Sequence, residues 1–386
     1  MWCCMSSRKR PSSTTSSSPP PTAAQDEMQE TQTLDASNLT EEIPENPTPE
    51  QYQAWEEQHI TGLRQCSDAL RPESEESLTI MASLGCIYED QGKWNDAVEI
   101  RQTVVEKRKR VLGRDNPDTL TTMGQLASTY LSLGRWGEAE SLQREIIAIS
   151  ESALGKDHPN TFTAMGDLAT THLEQGRLDE AEKLQVQVAE ICERVLGPDD
   201  LNTLIVMSNL ASTYRAQGRL EEGVKIEESV TETSQRTLGP EHPATLRNLS
   251  NLATARLQQG RYNEAEGLER NVMETRKRTL GPDHPSTITA VANLASIYSA
   301  QERYDDAEEL EVQVLEKRKE ALGAQHPSTL LGMNNLAHTW KALGKNEKAL
   351  SLMSECVDLR KVQLGPDHPD TRASIAAVTL WQQEHK

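Results

Sequence analysis

The sequence predicts an all-α solenoid: seven helical hairpins in a row, with a capping helix at each end. Three observations carry that expectation. A Leu-Gly pair recurs at 112–113, 154–155, 196–197, 238–239, 280–281, 322–323 and 364–365, each 42 residues after the last; a constant period in this range marks stacked supersecondary units. Within each period, apolar and small residues recur three and four positions apart, on one face of a helix. Aromatic residues make up only 4% of the chain, so the core has to come from Leu, Ala, Val and Ile, which suit closely packed helices.

In chain order, residues 1–48 include "SSTTSSSPPPT" (12–22) and read as a disordered Ser/Pro-rich tail. Residues 49–76 hold a capping helix and a linker: Tyr52 falls in the column of Trp94 and Leu70 in that of Leu112, which makes 49–70 a lone second-type helix. Residues 77–370 hold the seven hairpins, counted from Ser77, Thr119, Thr161, Thr203, Thr245, Thr287 and Thr329. Residues 371–386 supply a C-terminal cap, since an open solenoid end has to be covered.

Each repeat divides into a leading segment such as "TLTTMGQLASTYLSLG" (119–134) and a trailing one such as "RWGEAESLQREIIAISESALG" (135–155). Leu-Ala steps at 126–127, 168–169, 210–211, 252–253, 294–295 and 336–337 mark the buried face of the leading helix. Ala139, Ala181, Ala265, Ala307 and Ala349 form a small-residue column in the trailing helix, and small residues let helix axes approach. The connection "TLGPDHPSTI" (279–288) explains itself: Gly281 ends one helix in a left-handed conformation, Pro282 cannot continue it, Asp283 or His284 caps the next, and Pro285 takes its first position. Gly92, Gly134, Gly176, Gly218, Gly260 and Gly344 end the leading helices in the same way. Three positions depart from the pattern: Leu201 replaces the loop proline, Gly223 the column alanine, and Glu302 the mid-repeat glycine. The first two neighbour each other and predict the softest joint near Thr203.

Composition narrows the function. A net charge of −20 disfavours nucleic acid and anionic membrane, which need clustered Lys and Arg. No apolar run is long enough to span a bilayer, and "MWCCMSSRKR" lacks the apolar core of a signal peptide. The six cysteines show neither a metal spacing nor a disulfide framework and suit a reducing, cytoplasmic setting. Arg8-Lys9-Arg10-Pro11 leaves nuclear import open. The repeated histidines, among them His158, His242, His284 and His326, lie in successive loops and read as caps, not zinc ligands. Nucleophiles and bases follow the repeat period and so spread along a surface instead of converging. The expectation is a non-enzyme with no cofactor, no metal and no small-molecule substrate.

The pattern Leu126-Ala127, Tyr130, Gly134, Ala139 resembles the tetratricopeptide repeat, and the 42-residue form with "LG.DHP.T" and "NLA..Y...G...EAE" is similar to the kinesin-light-chain type. The resemblance covers about residues 77–386 and implies a right-handed solenoid that acts as a protein-binding scaffold or adaptor, its leading helices lining a concave groove. Residues 1–48 lack the heptads of a kinesin light chain, which argues against a motor role. Similar repeats also form the sensor arm of STAND-type signalling ATPases; that alternative would make this chain a regulatory arm without the nucleotide-binding domain, because no GxxxxGK[ST] loop occurs.

On this reading a protein or peptide partner meets the column Gln125, Asp167, Asn209, Asn251, Asn293 and Asn335, whose side chains can serve an extended backbone; the resemblance implies that use. The alternative is that these amides bond within the solenoid and tie adjacent helices. Acidic groups (Glu89, Asp90, Asp167, Glu174) fall in the early repeats, and Arg215, Arg247, His338 and Lys341 in the later ones. A graded groove would direct the acidic end of a peptide toward the C-terminal repeats; scattered solvated charge is the competing reading. The basic column Lys93, Arg135, Arg177, Arg219, Arg261, Arg303 and Lys345 is expected to pair with nearby carboxylates or helix carbonyls.

Overall fold

A computed structural model describes residues 49–68 and 73–384. The expected tail, with its basic patch and Cys3-Cys4, and the placement of Leu70 lie outside the described residues. Among the described residues, eight leading helices, α2 (Glu75–Asp90), α4 (Pro117–Ser132), α6 (Pro159–Glu174), α8 (Leu201–Ala216), α10 (Pro243–Gln258), α12 (Pro285–Ala300), α14 (Pro327–Ala342) and α16 (Pro369–Glu384), alternate with eight trailing ones. The trailing helices are α1 (Pro49–Asp68), α3 (Trp94–Val111), α5 (Trp136–Leu154), α7 (Leu178–Val195), α9 (Leu220–Leu238), α11 (Tyr262–Thr279), α13 (Tyr304–Leu322) and α15 (Asn346–Gln363). There is no strand among the described residues. The chain is an α-solenoid in which each helix packs mainly on its neighbours in sequence.

The leading helices start as their loops dictate. His158, His242, His284, His326 and His368 each accept, through Nδ1, the backbone N–H two residues on, at 3.1–3.2 Å. Asn116 and Asp200 do the same with a side-chain oxygen. So the histidine is the cap, and Leu201 does not weaken its loop, because Asp200 still caps α8. A further bond closes the connection: the hydroxyls of Thr119, Thr161, Thr203, Thr287 and Thr329 donate at 2.8 Å to the carbonyl of the glycine six residues back. These threonines are buried, and the bond satisfies both a hydroxyl and a carbonyl that would otherwise be dry.

The leading helices end in a left-handed residue. Gly134 stands at φ 68° and the N–H of Arg135 reaches back to the Tyr130 carbonyl at 2.8 Å, the six-to-one bond of a Schellman turn. Glu302 holds the same conformation (φ 60°) without being glycine and keeps the equivalent bond, Arg303 to Tyr298, at 2.9 Å. The core runs along the stack as expected: Leu126, Ala127, Ala139, Leu252, Ala253, Leu336, Ala337 and Ala349 are all buried. Gly223 is no simple defect. A β-carbon there would lie 2.7 Å from the Ala211 carbonyl oxygen and 2.7 Å from Arg215 Cγ, so the glycine is what lets α9 approach α8.

Leading helices also touch one another directly, α8 with α10, α10 with α12 and α12 with α14. No trailing pair among the described residues packs to that degree. Closer spacing on one side bends a stack toward that side, which makes the leading helices of these middle repeats the candidate inner wall.

Candidate partner-binding face

The amide column lies along the leading helices, six residues after each of the buried threonines that close the connections. Asn209 is exposed; Gln125, Asp167, Asn251, Asn293 and Asn335 are half-buried. Asn251 donates to Ser208 Oγ at 2.9 Å, and Asn293 to Ser250 Oγ and Glu269 Oε1, both at 3.2 Å. These two amides therefore tie one repeat to the next, the second of the two roles their sequence allows. Asn335 accepts from Asn334 at 3.4 Å. Burial pushes the Asp167 carboxyl up to about 6.

Behind the amides lies a set of carboxylates that sequence reasoning missed. Glu227, Glu269 and Glu311, on α9, α11 and α13, are buried. Ser208 donates to Glu227 at 3.0 Å and Ser250 to Glu269 at 2.6 Å. Burial is the main cause that pushes Glu227 and Glu311 up to about 7 and raises Glu269. The signal was available: the same column holds Arg101, Gln143, Gln185 and Met353, a polar position inside an apolar face.

Two of the basic candidates lie on the middle leading helices. Arg215 donates to Ser212 Oγ at 2.9 Å and to the Asn251 carbonyl at 3.4 Å, while its Nε is buried without a partner. Arg247 stands exposed on α10. Desolvation lowers the pKa of both guanidiniums, and the nearby carboxylate opposing that shift is Glu227 in each case. Glu227 in turn feels both guanidiniums, which offset part of the rise that burial causes in its pKa. Arg215 and Arg247 lie on successive leading helices, α8 and α10, while the other two basic candidates lie on α14. His338 lies edge-on to Trp381, ring centres 5.1 Å apart, and Lys341 Nζ pairs with Glu384 Oε2 at 2.7 Å. Both are engaged by α16, the C-terminal helix.

The basic column behaves as expected. Arg177 pairs with Glu140 at 3.0 Å, Arg219 with Glu182 at 2.8 Å and Arg303 with Glu266 at 3.1 Å, each reaching back one repeat. Arg219 and Arg303 also cover Tyr214 and Tyr298, at 3.9 and 4.1 Å from the ring centres. No helix among the described residues is long and apolar enough to cross a membrane.

Comparison with known proteins follows the repeats. A family model described as tetratricopeptide repeat matches residues 76–152, 118–193, 168–232 and 208–271, and a second of the same description matches 287–328 and 329–370. Among curated proteins none matches. Among solved structures, a putative kinesin light chain from Podosopora anserina with nearly identical repeats is 30% identical, over 53% of this chain and 96% of that one, with a TM-score of 0.44. A signal-transduction ATPase with numerous domains from Pyrococcus horikoshii, carrying a tetratricopeptide repeat sensor, is 15% identical over 85% of this chain and 50% of that one, with a TM-score of 0.50. The second likeness shows the fold alone.

Proposed function

The chain belongs to the tetratricopeptide repeat family, and from that premise we propose that it is a non-catalytic scaffold or adaptor whose inner wall holds an acidic stretch of another polypeptide. The observation that carries this is the pair Arg215 and Arg247. They lie on successive leading helices, neither forms an ion pair with a carboxylate within 4 Å among the described residues, and Glu227 is the carboxylate that both feel. A guanidinium not already paired with a carboxylate is stabilised by an incoming Asp or Glu, to which it offers two parallel hydrogen bonds. Selectivity arises locally, because the protein as a whole carries −20 and would repel an acidic chain at long range. Asn209, exposed one helical turn from Arg215's neighbours, can serve the peptide backbone. The alternative of a sensor arm of a STAND-type ATPase has the shared fold as its support.

The test is fluorescence anisotropy of the full chain with three extended peptides of equal length, one rich in Asp and Glu, one neutral and one rich in Lys and Arg. Binding of the acidic peptide that weakens with salt and disappears in the Arg215→Glu/Arg247→Glu variant is the expected result. Failure of the acidic peptide to bind, or unchanged binding by the variant, would remove the proposal.

A further inference from the structure

Two contacts join parts of the solenoid that are far apart in sequence. A β-carbon built on Gly92 would lie 3.7 Å from His326 Cα and 3.9 Å from both His326 Cδ2 and Pro327 Cδ. One built on Gly134 would lie 2.9 Å from His368 Cδ2 and 3.2 Å from its Nε2. The two pairs are one contact repeated a single unit later: 92 meets 326, and 134 meets 368. In each, the turn inside a hairpin meets a loop between hairpins. These features lie on opposite edges of the helical ribbon, so edge rests on edge after the ribbon has come round once.

Accessibility shows the same seam independently. The turn glycine is exposed at Gly176, Gly218, Gly260 and Gly344, yet half-buried at Gly134 and buried at Gly92. The proline that opens a leading helix is exposed at Pro117, Pro159, Pro243 and Pro285 and half-buried at Pro327, in the first contact; in the second contact Pro369 stays exposed and His368 alone meets the turn. Gln91 Oε1, beside Gly92, is buried without a partner. Local sequence does not account for this, since the turns and loops are near copies. Burial lowers the pKa of His326, to about 4, and that of His368, so both imidazoles stay neutral and keep their Nδ1 caps.

We propose that the solenoid is a closed ring of the lock-washer kind, in which the loops before α14 and α16 seat on the turns after α2 and α4, so that a partner reaches the inner wall along the ring axis and not from the side. The ring fits an extended polypeptide that threads through it. A folded domain reaches the wall only when the seam parts. This second step rests on the inner wall being the binding face; the seam itself does not. Both glycines suit the seam by their left-handed backbone (φ 72° and 68°), and Gly134 also by its missing β-carbon, which would press on the His368 ring; at Gly92 a β-carbon would meet His326 and Pro327 at ordinary contact distance.

Amide hydrogen exchange on the full chain tests the seam without any partner. In the wild type, the turn at 88–93 should exchange on the order of tenfold more slowly than the matching turn at 172–177. The Gly92→Ala/Gly134→Ala variant should speed exchange across the seam, at 324–329 and 366–370, and lengthen the particle in small-angle scattering. The control is Gly176→Ala/Gly260→Ala, which carries the same backbone strain at φ 72° and 73° with nothing within 4 Å; it should leave both readings unchanged. Equal exchange at the two wild-type turns, or the same response from both variants, would overturn the seam. Access is tested with the acidic peptide, bare or held between two folded domains. Loss of binding for the flanked form, restored by Gly92→Ala/Gly134→Ala, supports threading; equal binding of both forms overturns it. Should the bare peptide not bind, the proposed function fails while the exchange measurement still decides the seam.

Discussion

The first repeat and the fourth solve one problem in opposite ways. At the same buried position of the trailing helix, the first repeat has Arg101 and the fourth has Glu227. Arg101 reaches Glu89 at 2.6 Å, the Gln125 carbonyl at 2.9 Å and Thr129 at 2.8 Å. Glu227 takes the single Ser208 hydroxyl, shared between its two oxygens at 3.0 and 3.1 Å, and has no cation bonded to it, only the fields of Arg215 and Arg247. The second and third repeats use Gln143 and Gln185, and the seventh uses Met353. The backbone of the unit is constant while its buried polar position is not. A repeat is thus a fixed frame with an adjustable electrostatic slot, and the slots in the middle of the stack are the ones left acidic beside the two arginines.

Exchanging residues between repeats sharpens that contrast, because interchangeable units would show no effect. The largest change is expected for Arg101→Met, which gives the first repeat the residue of the seventh. Glu89 then loses its cation at a site only 18% exposed, and urea denaturation should show a loss of about 3 kcal/mol. A null result would mean that the slot tolerates any occupant.

Glu227→Gln gives the fourth repeat the residue of the second. The folded pKa of Glu227, near 7, lies above the ordinary 4.5. The folded state holds its proton where the unfolded state has released it, so this contribution is complete below pH 4.5 and lost as pH rises through 7. Thermal melts should show the wild type losing on the order of 1–3 kcal/mol relative to the variant between pH 5 and 8. Glu311, raised for the same reason, keeps part of the slope in both proteins. Parallel melting curves across that range would show that Glu227 is not dry.

Gly223→Ala gives the fourth repeat the alanine of its neighbours. With 2.7 Å to a backbone oxygen, it should destabilise by about 1–3 kcal/mol. Gly267→Lys, which copies Lys225 onto an exposed helical site with open space around it, should instead stabilise by about 0.5–1 kcal/mol. Agreement in sign between the two would show that helix propensity, and not the approach of α9 to α8, governs position 223.

Legibility followed locality. The caps, glycine stops and Leu-Ala face were readable because each depends on residues a few positions apart, and the backbone has few ways to satisfy them. The basic column was readable for the same reason. Gly223 was misjudged because propensity speaks of one helix, whereas its role lies between two. For the histidine and lysine at 338 and 341, the sequence did not show that α16 brings Trp381 and Glu384 onto them, because those partners lie more than 40 residues on. The candidate amides were visible as a column, but their partners Ser208 and Ser250 lie 43 residues earlier.

By itself the sequence determined the hairpin, its boundaries and its stacking order, since period, caps and apolar spacing are short-range properties written into every unit. Only the tertiary structure decided how far the ribbon curves and what it meets on coming round. A small rotation per repeat accumulates over the whole stack, so whether Gly92 faces water or His326 depends on the sum of many packing contacts and on no residue near it.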